Sequence, residues 1–173
     1  MTEVAPTRDE FHQLAATATV VPLRRSILAD QVTPVAVFGR LCGDGPGFLL
    51  ESVDHGGQWG RWSFVGRSPL ARMESRDGVL SVEGDLPVAV PTTEGVLAAI
   101  EALLAGCATT DVDGLPLHSG LVGYLGYDVV REVERLPNVP ADDRSWPDAV
   151  LAVIGDLVAL DHWQQQATII ANV

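Results

Sequence analysis

Hydrophobic positions in this chain fall mostly into short runs bounded by Gly, Pro, Asp and Asn, with helical spacing in only a few stretches. Thr7-Arg8-Asp9-Glu10 is a capping box, a threonine N-cap with Glu10 three residues on, and it predicts a short helix through Ala16. Val20 to Leu28 reads as extended, and Pro22 argues for an edge strand or a strand start. Thr33-Pro34 pairs an N-cap with proline at the first helical position, predicting a helix through about Leu41. After the turn Gly43-Asp44-Gly45-Pro46 comes a strand, Gly47 to Val53, then strand-like pieces at Trp59 to Gly66, Leu70 to Ser75 and Val79 to Glu83. Thr93 to Leu104 is the clearest amphipathic helix, with Val96, Leu97, Ile100, Leu103 and Leu104 on one stripe and Gly106 as its stop. A glycine-tyrosine strand follows Pro116, and Arg131 to Pro147 looks irregular and exposed. Ala149 to Leu160 and Gln165 to Val173 read as two strands joined by a tight turn at Asp161-His162-Trp163-Gln164. The predicted class is α+β (mixed α/β), a mostly antiparallel sheet with a few packed helices.

The run Gly47-Phe48-Leu49-Leu50-Glu51-Ser52-Val53 is apolar on both faces, the pattern of a strand covered on both sides. Alternation puts Phe48, Leu50 and Ser52 on one face, Leu49, Glu51 and Val53 on the other. A carboxylate and a hydroxyl inside such a run cost several kcal/mol unless hydrogen-bonded. Either the protein satisfies them, Glu51 through Arg61 or Arg72 and Ser52 through a neighbouring backbone group, or a ligand does.

Composition narrows the field. The 173 residues are 47% hydrophobic, enough for a domain with a real core, and no internal repeat is present. A net charge of -12 repels a phosphate backbone and argues against nucleic acid. All basic residues are arginine, a composition bias rather than a functional signal. No apolar run approaches the ~20 residues of a membrane span, and the first residues lack the basic and then apolar pattern of a secretory leader. Cys42 and Cys107 stand apart, with neither metal-ligand spacing nor a disulfide framework, which fits a reducing cytoplasm. His12, His55, His118 and His162 are isolated and read as surface or turn residues. Gly120, Gly123 and Gly126 match neither a dinucleotide fingerprint nor a phosphate loop, and point to close packing of a strand on its neighbour. No nucleophile-base set can be assembled from the sequence.

Four blocks in order carry a family resemblance. They are Thr33-Pro34-Val35-Ala36-Val37-Phe38; Leu49-Leu50-Glu51-Ser52 followed by Trp59-Gly60-Arg61-Trp62-Ser63-Phe64-Val65-Gly66; Gly120 to Asp128; and Pro147-Asp148-Ala149-Val150 running to Leu160-Asp161-His162. Together they resemble the N-terminal domain of the large subunit (component I) of anthranilate synthase, within the chorismate-utilising enzymes. The resemblance implies that residues 1–173 are a regulatory domain, an incomplete part of a larger two-layer sandwich, whose C-terminal chorismate-binding catalytic domain lies outside this chain. It implies feedback inhibition by L-tryptophan, with Ser52 the leading contact and Glu51, Trp62, Ser63 and Pro34 around it. An amino acid needs an acceptor for its ammonium, donors for its carboxylate and an apolar slot for its indole, and this set with the neighbouring leucines could supply them.

The parent activity so implied makes anthranilate and pyruvate from chorismate, with Mg²⁺ and with ammonia from a glutamine amidotransferase subunit. Catalytic and Mg²⁺-binding residues are expected outside this chain. The alternatives are the large subunit of aminodeoxychorismate synthase, and a structural or interaction domain without ligand. The chain stops at Val173 within a strand pattern, so unpaired sheet backbone and exposed apolar surface are expected there.

Overall fold

The computed structural model describes residues 3–51, 60–110, 112, 114–139 and 141–173. Its helices are α1 (Arg8–Leu14), α2 (Pro34–Cys42) and α3 (Val96–Gly106), with a 3-10 turn at Tyr127–Glu132. Its strands are β1 (Pro22–Leu28), β2 (Gly47–Glu51), β3 (Trp62–Arg67), β4 (Ala71–Arg76), β5 (Val79–Gly84), β6 (Leu121–Leu125), β7 (Ala149–Val153), β8 (Asp156–Asp161) and β9 (Gln166–Asn172). Every strand pairing is antiparallel, so the class is α+β as expected. The chain divides into two compact units, Met1–Pro69 with Ala108–Gly120 and Ile154–Val173, and Leu70–Cys107 with Leu121–Val153.

The first unit is a five-stranded sheet in the order β1-β9-β8-β3-β2. α1 opens with the predicted capping box, Thr7 and Glu10 bonding reciprocally, and Thr33 caps α2 ahead of Pro34. α2 lays Val37, Phe38 and Leu41 on one face of the sheet, against Leu49, Val65, Val158 and Leu160. Its C-terminal end is seated by two glycines. A side chain at Gly47 would collide with the Cys42 sulfur, and one at Gly66 with the Phe48 ring that lies across it.

Two expectations fail in this unit. Among the described residues β2 pairs with β3 alone, at the edge of the sheet, and its side chains are not covered on both faces. Leu49 supports α2, but Leu50 is 41% exposed and Glu51 is exposed as well, so the burial cost expected for Glu51 does not arise. An apolar run reports what its residues could bury, and position in the sheet decides what they do bury. Of the two features expected at the last strand, the exposed apolar surface is present, at Ile169 (45%) and Val173 (59%), whereas the unpaired backbone is not: β9 is interior, between β1 and β8, and Val21 and Val173 exchange backbone hydrogen bonds just past its end.

The second unit is a four-stranded sheet in the order β5-β4-β7-β6, with α3 on it. Met73, Leu80, Leu151 and Val153 meet Val96, Ala99 and Leu103 in its core. Each such side chain larger than the Ala99 methyl, fully buried, contributes ~1.5–3 kcal/mol. α3 begins three residues later than predicted, at Val96, and Leu104 is exposed rather than on the buried stripe. The start is displaced because the cap is remote. Gly95 has no side chain to cap with, and Glu132 instead accepts from the amides of Val96 (2.8 Å) and Leu97 (2.9 Å). Gly95 sits at φ +91°, and a Cβ there would occupy the space of the Glu132 carboxylate.

The predicted strand Ala149 to Leu160 is two strands in two sheets, β7 and β8, separated at Ile154-Gly155. A continuous apolar run cannot signal a change of sheet. The glycine reading holds at Gly123 and Gly126, where a side chain would collide with the backbone of Val150 and Asp148, whereas Gly120 serves a φ of +125°.

Replacing Glu132 by Ala should cost ~1–2 kcal/mol, as loss of a helix cap does. Gly95→Ala should cost at least as much, since it strains the backbone and evicts the same carboxylate. Thermal melts followed by circular dichroism check both.

Candidate functional site

Of the candidate residues, Glu51, Trp62 and Ser63 lie where β2 ends and β3 begins. Glu51 and Ser63 are cross-strand partners. Ser63 is 2% exposed, and its hydroxyl lies 2.8 Å from His162 Nε2, the ring tautomer deciding which atom donates. Trp62 faces the other side of the sheet by alternation and stacks on Phe64, centroids 6.2 Å apart and planes 17° apart. Pro34 starts α2, the helix that packs on β2 and β3. The fold therefore brings Glu51 and Ser63 side by side and turns Trp62 away from Ser63. Ser52 and Trp59, with the whole 52–59 stretch, lie outside the described residues.

Neither arginine proposed as a partner for Glu51 takes that role. Arg72 pairs with Glu74 on its own strand. Arg61 bonds Asp161 through Nε (3.0 Å) and Nη2 (2.7 Å). The Arg61 guanidinium also lies over the Trp62 ring at 4.9 Å and near the Trp163 ring at 5.2 Å, within cation-π range of both.

Asp161 is the residue that sequence reasoning missed. The sequence places it in a tight turn and in the last of the four resemblance blocks, with no role of its own. Its carboxylate is 5% exposed and accepts four hydrogen bonds, two from Arg61 and two from the amides of Trp163 (3.0 Å) and Gln164 (3.1 Å). Burial alone would raise its pKa. The bonds from Arg61, then those from the Gln164 and Trp163 amides, outweigh burial and hold the carboxyl below its ordinary value. The same bond raises the pKa of Arg61. An available signal was the aspartate at the head of a four-residue turn, where its side chain can accept from amides two and three residues on.

A polar pocket of about 140 Å³ lies beside this cluster, lined by Asp30, Val32, Leu160, Asp161, His162 and Gln165 among others. Among the described residues no three His, Cys, Asp or Glu side chains come together as a metal cluster. No helix among them is long and apolar enough to cross a membrane.

No family model matches the chain. It is 41% identical over 167 residues to anthranilate synthase component 1 of Mycolicibacterium smegmatis, across 95% of this chain and 32% of that protein. It is 37% identical over 171 residues to anthranilate synthase component 1 of Arthrobacter globiformis, across 98% of this chain and 32% of that one. The chain thus spans about a third of the length of the curated relatives it matches. A crystal structure of anthranilate synthase component I from Streptococcus pneumoniae TIGR4 aligns with a TM-score of 0.51 at 23% identity, covering 84% of this chain and 31% of that one, a likeness of fold. The chain is an α+β protein of two antiparallel sheets. It is homologous to part of anthranilate synthase component 1, and the resemblance read from its motifs is borne out.

Asp161→Asn should lose roughly 1–2 kcal/mol of stability at neutral pH. Because the folded-state pKa is depressed, the carboxylate's contribution is complete above the unfolded value of about 3.9 and fades as pH falls through the folded value. The gap between wild type and variant, read as denaturation midpoints across pH, should therefore close below that window.

Proposed function

We propose that this chain is the N-terminal, L-tryptophan-sensing part of an anthranilate synthase large subunit, acting in the cytoplasm. The observation that carries the reading is 41% identity, across 95% of the chain, to a protein named for that subunit. The parent enzyme would convert chorismate to anthranilate and pyruvate, drawing ammonia from a glutamine amidotransferase subunit. The catalytic and Mg²⁺-binding groups would lie in a C-terminal domain outside this chain.

In this role Ser52 and Glu51 hold the polar end of tryptophan. The exposure of Glu51 supports that part, because an exposed carboxylate can meet an ammonium without a prior burial cost. Ser63, already bonded to His162, acts by holding β3 in place beneath Glu51. In this reading Pro34 borders the site from the head of α2, and Trp62 contributes from the opposite face of β3 to Ser63. Inhibition then requires tryptophan to bind the inactive arrangement of the enzyme more tightly than the active one, since equal affinity shifts no population.

Calorimetric titration of the full-length parent protein with L-tryptophan tests the reading. Saturable binding is expected, and Ser52→Ala should weaken it tenfold to a hundredfold, the loss of ~1.5–3 kcal/mol for a bond to a charged group. An intact parent that binds no tryptophan, or that binds it equally well after Ser52→Ala, overturns the assignment.

A further inference from the structure

An open groove of about 650 Å³ lies in the second unit, among the end of β6, the 3-10 turn and the segment that leads into β7. Nothing in the proposed tryptophan response uses it. Large aromatic side chains stand out in it, Tyr127 at 82% exposure and Trp146 at 71%, with Tyr124 and Val139 beside them. Tyr124 is tethered at the rim by its hydroxyl, which donates to the Pro147 carbonyl at 3.0 Å. Single exposed apolar residues are ordinary, but several lining one groove mark a contact surface.

The charge of the groove selects the occupant. Six carboxylates line it against two guanidinium groups, Arg131 and Arg144. Several carboxylates are already employed: Asp128 accepts from Arg131, Asp142 from the Arg144 and Ser145 amides, and Asp148 from the Asp77 amide. Asp143 has no intramolecular hydrogen bond or ion pair among the described residues. Aromatic faces beside surplus negative charge suit guanidinium or ammonium groups on apolar stems, which stack on the rings and neutralise the rim. A small cation would be poorly enclosed by walls this exposed, because small-molecule sites bury most of their ligand. An extended polypeptide fits an open trough.

We propose that this groove docks a basic segment of a partner polypeptide, its arginine or lysine stems laid across Tyr127 and Trp146 and its charges set against the acidic rim. The probe is the synthetic peptide (Arg-Leu)4-amide, titrated into the intact protein at low and at raised salt, with (Glu-Leu)4-amide as the charge-reversed control. Saturable binding of the basic peptide, weakened severalfold by added salt, is expected. Tyr127→Ser combined with Trp146→Ser should weaken it at least tenfold, and Asp143→Asn should weaken it while reducing its salt dependence. All three positions are exposed, and unchanged circular dichroism melts would confirm that the variants fold. Equal binding of the acidic peptide, no binding of the basic one, or indifference to the substitutions overturns the proposal. So does protection of Trp146 from quenching by acrylamide in the partner-free, full-length parent protein, which would mean that the polypeptide fills its own groove. Tryptophan titration of the same variants should be unchanged, so failure here is distinguishable from failure of the feedback assignment.

Discussion

The Asp161 carboxylate organises the end of the sheet on which the candidate site depends. A carboxylate taken almost wholly out of water must find donors, and this one finds four. Two come from the β8–β9 turn and two from Arg61, which directly precedes β3, so a single side chain ties the turn to the strand that carries Ser63. The next residue reinforces the tie. The His162 amide donates to the Arg61 carbonyl at 2.9 Å, and its ring meets the Ser63 hydroxyl. Arg61, fixed from one side, lies within cation-π range of both Trp62 and Trp163. These bonds fix the start of β3, whose Ser63 lies opposite Glu51 of β2.

The second unit uses the same device for another purpose. Glu132 reaches from the 3-10 turn to the first amides of α3, and Gly95 leaves the space it needs. In both units a carboxylate distant in sequence satisfies backbone or side-chain donors that local residues leave open. Such bonds add stability and also fix geometry, since each restricts two chain segments at once. The 3-10 turn that supplies Glu132 also presents Tyr127 to the open groove.

Much of the fold was legible because its signals are local. The capping box at Thr7 and Glu10, the Thr33-Pro34 helix start, the strand beginning at Pro22 and the close-packed Gly123 follow from residues within a turn or a strand of one another. The errors share a cause. The apolar run from Phe48 to Leu50 was read as doubly covered and proved to be at an edge. The run from Ala149 to Leu160 was read as one strand and proved to be two. In each case the pattern was correct and the neighbours were not knowable. The candidate site was half legible. Its motif residues were named from resemblance, whereas Asp161 and the bond from Ser63 to His162 join positions about a hundred residues apart.

The sequence by itself determined the α+β class, the starts of α1 and α2, most strand positions and the kinship with anthranilate synthase component 1, because periodicity, local capping chemistry and identity are properties of the chain read in order. Tertiary structure alone decided which strands share a sheet, that β2 lies at an edge while β9 lies inside, which carboxylate answers which arginine, and that Tyr127 and Trp146 stand exposed in one groove. The physical reason is that burial and hydrogen bonding are settled by neighbours in space. A strand carries the same residues wherever it is placed, and only its partners fix which face and which charge remain free.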